Sequence, residues 1–138
     1  MEKHIKFPVF TVSKEGIAYS IESQERLESC TLLALQKNYY DNLIIYDSSL
    51  SKFQILDAKR DKTIWSFPNI IFLNPFIIVQ LNISEQSRKY EIVELKKILI
   101  DNINRENSYW ENIGLKSSIL KKIRNATSFL ELYNFYKQ

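Results

Sequence analysis

The sequence predicts an α+β fold: an antiparallel sheet of about five to six strands, with one early helix and two to three C-terminal helices packed on it. Three observations predict it. Up to about residue 83, apolar residues alternate with a period of two or run in short β-rich stretches. From Ser84 onward they recur at helical spacing instead. Between the strand-like runs stand short turn segments, Lys14-Glu15-Gly16 and Asp47-Ser48-Ser49.

The first strand is read over His4 to Val12, with Ile5, Phe7 and Val9 on one side and Phe10 and Val12 on the other. Gly16 can take the positive φ of a tight turn, and Ile17, Tyr19 and Ile21 then alternate with Ala18, Ser20 and Glu22, completing a hairpin. Ser23 is placed to cap a helix whose apolar face is Leu27, Cys30, Leu33 and Ala34, ending near Asn38. Leu43 to Tyr46 and Lys52 to Leu56 read as two strands about the Asp47 turn. Ile64 to Phe67 and Ile70 to Leu73 read as strand pieces broken by Pro68. Phe76 to Ile83 is apolar on both faces and reads as a covered central strand. Ile92, Leu95, Leu99 and Ile103 mark a long helix ending near Asn107, and Lys116 to Arg124 a shorter one. Ser128 and Glu131 form an S-x-x-E capping box that opens a last helix through Leu132 and Phe135. The whole reads as one domain over residues 1–138, with residues 1–83 mostly strands and 84–138 helical.

A chain of 138 residues, 45% apolar and 25% charged, has the composition of a soluble globular protein and is long enough to bury a core without staples. Cys30 has no partner for a disulfide, and one histidine with one cysteine cannot close a zinc site, so no metal and no cofactor are expected. With Gly16 and Gly114 as the two glycines, neither G-x-G-x-x-G nor a P-loop can be built. His4 beside Lys3 reads as a surface histidine at a strand's start, and Cys30 as a structural thiol. No nucleophile–base pair stands out, so the chain is not expected to be an enzyme. Neither a secretory signal nor a transmembrane span is predicted: the start is charged, and the tract from Ile64 to Leu81 is interrupted by Pro68 and Pro75. A cytoplasmic protein, monomeric when free, is expected. Its 19 isoleucines, 14 lysines and 11 asparagines have A/T-rich codons and suggest an AT-rich bacterial source.

Aromatic residues make 13% of the chain, eight of them tyrosine. Tyr39-Tyr40-Asp41, Tyr46-Asp47 and Tyr109-Trp110-Glu111 set phenol or indole rings beside carboxylates in connecting segments, a composition enriched at protein-binding surfaces. Glu22, Glu25 and Glu28 stand three residues apart on the expected first helix and add an acidic flank. Partner binding is therefore expected at Glu22, Glu25, Glu28, Tyr39, Tyr40, Asp41, Tyr46 and Asp47. Removing the Tyr40 and Asp47 side chains is expected to weaken binding and leave the fold intact. The competing pattern is basic: Lys116, Lys121, Lys122 and Arg124 suit a nucleic-acid-binding accessory domain, although a net charge of +3 is small for that role.

In layout the chain resembles the immunity proteins of bacterial contact-dependent inhibition and polymorphic toxin systems. The passages that carry the resemblance are LESCTLLALQKNYYDNLIIYD (Leu27 to Asp47), KFQILDA (Lys52 to Ala58) and ENSYWENIGLKSSILKKIRNATSFLELYNFY (Glu106 to Tyr136). The resemblance implies a small non-catalytic protein that binds a cognate toxin C-terminal domain and occludes its active site.

Overall fold

In the computed structural model, which describes residues 5–64, 75–84, 87–105 and 116–136, seven strands and five helices alternate in an α+β arrangement. The strands are β1 (Val9–Val12), β2 (Ala18–Ile21), β3 (Ser29–Thr31), β4 (Ile44–Asp47), β5 (Ser51–Ile64), β6 (Phe76–Ile83) and β7 (Arg88–Lys89). The helices are α1 (Gln24–Leu27), α2 (Leu32–Gln36), α3 (Ile92–Arg105), α4 (Lys116–Asn125) and α5 (Phe129–Tyr136). Every pairing is antiparallel, and the sheet runs β2-β1-β4-β5-β6-β3, with β7 also on β5.

The expected hairpin forms, with Gly16 at φ +85° in its turn and Ser13 N–H donating to the Ile17 carbonyl at 3.0 Å. The turn rests on the end of α3, where Arg105 Nη1 donates to the Glu15 carbonyl at 2.6 Å. The predicted strand is shorter than the pattern suggested and starts at Val9. All four residues of β1 are buried because both faces of this strand are covered.

The single early helix is corrected. Ser23 caps α1 as expected, its Oγ accepting from Arg26 N–H at 3.3 Å, but α1 ends at Leu27. Ser29–Thr31 leaves the helix and pairs with β6, Cys30 lying opposite Ile77, and the ladder extends back through Val79 N–H to the Glu28 carbonyl at 2.9 Å. This segment gives β6 its outer neighbour, and Tyr40 Oη caps the carbonyls left by the break, donating to Leu27 O at 2.7 Å and Ser29 O at 3.3 Å. Helical structure resumes as α2, and Asn38 follows it at φ 61°, where the helix was expected to end.

Strand β5 is also longer than expected. It has 14 residues and runs past the expected end at Leu56 through Asp57 and Asp61 to Ile64, which was expected in a separate strand. Its start pairs with β4 and β7, and its remainder with β6 through register shifts at Ile55/Asp57 and Arg60/Lys62. Such shifts bend a strand and increase its twist, which lets the sheet curl. The strand pieces expected at 65–67 and 70–73 lie outside the described residues, as do His4 and the Tyr109–Glu111 segment. Beyond Ser84 the chain is not helical throughout, since β7 precedes α3.

Two apolar clusters occupy the two faces of the sheet. On one, Phe10, Val12, Ala18 and Tyr46 meet Leu95, Leu99, Ile103, Ile123, Phe129 and Leu132 from the C-terminal helices. Phe10 lies edge-on to Phe129, Tyr133 and Tyr136 at centroid distances of 5.4, 6.0 and 5.7 Å. On the other, Val9, Ile45, Phe53, Ile55, Ile77 and Val79 pack with Leu27, Tyr40 and Leu43. Each fully buried Leu or Ile contributes about 1.5–3 kcal/mol, which is why the helical spacing of α3 survives as packing. Ser128 Oγ accepts from Glu131 N–H at 3.2 Å as the capping box requires, while the Glu131 carboxylate accepts from Thr127 Oγ1 at 3.0 Å. Among the described residues no helix is long and apolar enough to cross a membrane.

Candidate functional site

The curl of the sheet leaves its two end strands, β2 and β3, on either side of a groove of about 410 Å³. Tyr19 and Ser20 form the β2 side, Cys30 the β3 side, Tyr39 and Phe76 complete the aromatic wall, and Arg26 of α1 supplies the charge. Tyr19 is 48% exposed and Phe76 is 44% exposed, so two large rings face solvent across one opening. The cross-strand partner of Phe76, Ile64, is also exposed and widens the apolar rim.

Tyr39 connects this groove to the core. Its ring packs edge-on to Tyr40 at 4.9 Å, and burial pushes its hydroxyl above the ordinary tyrosine value. Thr11 lies opposite Tyr19 in the β1–β2 ladder. Thr11 is 0% exposed, and its Oγ1 has no hydrogen-bond partner among the described residues. On the outer side, Glu22 and Arg26 stand beside Tyr133 of α5. Its hydroxyl is pushed up by burial first and by Glu22 second, with Arg26 opposing.

The expected contact residues do not stay together. Glu22 and Glu25 are exposed but do not line the groove, whereas Tyr39 does. Asp41 is exposed and paired with Lys14 at 3.5 Å. Glu28 instead faces a separate hollow with Ile5, Phe7 and Leu27. Helix α1 covers only Gln24–Leu27, so Glu22 precedes it, Glu28 follows as its C-cap, and the expected row of three carboxylates on one helix does not form.

Tyr40, Tyr46 and Asp47 require correction as surface contacts, because they are 3%, 5% and 0% exposed. Asp47 is a folding residue. Oδ1 accepts from Ser49 N–H, Ser49 Oγ and Ser51 N–H at 3.0, 2.8 and 2.9 Å, and Oδ2 accepts from Lys6 N–H at 3.2 Å. Tyr46 stacks edge-on to Tyr90 at 4.9 Å, and Tyr90 Oη donates to the Asp47 carbonyl at 2.7 Å. Burial, with Glu94 nearby, pushes the Tyr46 hydroxyl up to about 12.

Of the groove lining only Tyr39 was expected as a contact; Tyr19, Ser20, Arg26 and Phe76 are among the residues that the sequence did not single out. Alternation did mark Tyr19 and Phe76 as strand residues, but not that their strands would approach across a curl. Cys30 is half-buried, and its thiol is raised by burial first, with a weaker opposing contribution from Tyr40, which makes it a poor nucleophile near neutral pH. Among the described residues no group of three His, Cys, Asp or Glu side chains could hold a metal ion.

Comparison with known proteins gives no relative: no family model, curated protein or solved structure matches the chain.

Proposed function

We propose that this chain is a protein-binding inhibitor, an immunity protein that neutralises a cognate bacterial toxin domain by covering its active site in the cytoplasm. The observation that carries this reading is the exposed aromatic–charged surface along β2 and α1, where Tyr19 and Phe76 open towards solvent beside Arg26 and Tyr39 lines the groove between them. Rigid rings at a surface bury area with little loss of side-chain freedom, and charges at their rim set approach and specificity. The surface supports binding more than catalysis, since burial raises both the Cys30 thiol and the Tyr39 hydroxyl that line it.

The experiment is co-expression with the C-terminal domain encoded by the neighbouring upstream gene, chosen where that domain is toxic when expressed alone, followed by a cell-protection assay and a binding titration. Tyr19→Ala with Arg26→Ala is expected to weaken binding by roughly thirtyfold or more, the scale of a lost hot spot. Protection and affinity equal to wild type in that double variant would reject this face as the contact.

The phosphate-binding alternative draws on Lys121, Lys122 and Arg124, which are exposed on α4 with no acidic residue in that helix. Part of the local cation set already has protein partners. Lys122 Nζ lies 5.8 Å from the Phe135 ring centroid, and Lys96 Nζ donates to the Arg124 carbonyl at 3.0 Å. The aromatic groove is therefore the better-supported site.

A further inference from the structure

We infer that the groove between β2 and β3 receives an extended segment of the partner protein, which adds to the free edge of β2 and presents an apolar side chain next to a carboxylate. This rests on reading the chain as a protein-binding module and specifies what that module binds.

The backbone phase of β2 makes the argument. In an antiparallel ladder, alternate residues turn their N–H and C=O groups to opposite edges. Ser13 N–H donates to the Ile17 carbonyl, so Ile17, Tyr19 and Ile21 face β1, and Ala18 and Ser20 face away. At Ala18 the outward groups are sealed: N–H donates to Asn102 Oδ1 at 2.8 Å, and C=O accepts from Tyr136 Oη at 3.3 Å. Two residues on, the same outward pair at Ser20 meets no partner among the described residues, and Ser20 lines the groove. Helices α3 and α5 close one end of this edge and leave the other open.

Across the groove, the edge of β3 is blunted, because the Ser29 carbonyl accepts from Tyr40 Oη. An incoming backbone therefore pairs with β2. A strand lying there places alternate side chains against Tyr19, Tyr39 and Phe76, which favours an apolar one. Arg26 is the charged residue of the groove lining and has no ion pair within 4 Å among the described residues, so a carboxylate on the segment is the complementary group.

The test uses a phage-displayed library of random twelve-residue peptides selected against the whole protein. Selected peptides are expected to combine an acidic with an apolar or aromatic residue and to protect the Ser20 amide from hydrogen exchange. Ser20→Pro removes the outward N–H without touching the β1 ladder, a change that edge strands tolerate. It should weaken the best peptide at least tenfold, as should Arg26→Ala. Tyr19→Ala, at an exposed ring, supplies the same readout if the proline variant melts early. Selection of no peptide, or peptides that bind all three variants as tightly as wild type, would overturn the inference. That failure is distinct from failure of the inhibitor reading, which the cell-protection assay reads without any peptide.

Discussion

Asn102, in the middle of the buried stripe of α3, completes the edge of a strand 84 residues earlier in the chain. Its Oδ1 accepts from the Ala18 N–H at 2.8 Å, and its Nδ2 donates to the Gly16 carbonyl at 2.8 Å and to the Ile98 carbonyl at 2.9 Å. One amide thus fixes the hairpin turn, the strand edge and the helix together, and it does so at 4% exposure.

Replacing it should therefore cost more than a surface polar change. Asn102→Leu leaves the Ala18 N–H unpaired in a buried setting and the Gly16 carbonyl without its donor. A loss of about 2–4 kcal/mol is expected. Urea unfolding with an unchanged slope and a lowered midpoint is the check; a change below about 0.5 kcal/mol would mean that water replaces the amide at no cost.

Asp47 and Tyr40 are expected to act on stability first, reversing the expectation drawn from their sequence position. Asp47→Ala removes the acceptor of four hydrogen bonds and should destabilise by about 3 kcal/mol. Tyr40→Phe deletes only the hydroxyl that holds the Leu27 carbonyl and should cost about 1–2 kcal/mol. Thermal melts of the free protein decide the matter. Unchanged melts with lost partner binding would return both residues to the contact surface.

Alkaline pH should unfold the protein earlier than its tyrosine content alone suggests. Tyr40, Tyr46 and Tyr90 all have raised hydroxyl pKa values in the folded state, with burial the main cause in each, against 10.0 unperturbed. A group with a raised folded pKa stabilises fully below its unfolded value and loses that contribution as pH rises through the folded one. For Tyr46 the window runs from pH 10 to about 12. Stability should fall across it, and phenolate absorbance should appear in step with loss of the near-UV circular dichroism. Phenolate signal from all eight tyrosines before unfolding would contradict the burial of these three.

The exposed cations of α4 should bind nucleic acid weakly. If Lys121, Lys122 and Arg124 each neutralised one phosphate, the log–log salt slope on duplex DNA would be no steeper than about −3. Fluorescence anisotropy between 50 and 200 mM salt measures it. Sub-micromolar affinity at about 150 mM salt would promote phosphate binding over protein binding.

The sequence by itself determined those elements whose stability is local or whose pattern is repeated. Four apolar residues at helical spacing specify α3, Ser128 and Glu131 start α5, Gly16 sets the hairpin turn, and the apolar run from Phe76 to Ile83 specifies β6. That strand is not covered on both faces as expected: Ile77 and Val79 are buried while Phe76 and Gln80 are exposed. From these the α+β class followed. The break of the first helix was not legible, because Ser29–Thr31 becomes a strand only where β6 offers an unpaired edge, and that edge is set by residues about 47 positions away. The length of β5 escaped for the same reason: its polar second half has no buried face of its own and is held by the β6 ladder. The candidate site depended on tertiary structure most of all. A tyrosine beside an aspartate reads identically whether the pair faces water or a core, so Tyr39 and Tyr46-Asp47 looked alike in sequence. Burial then separated them, and the curl of the sheet, which no local pattern encodes, brought Tyr19, Arg26 and Phe76 together around the open edge at Ser20.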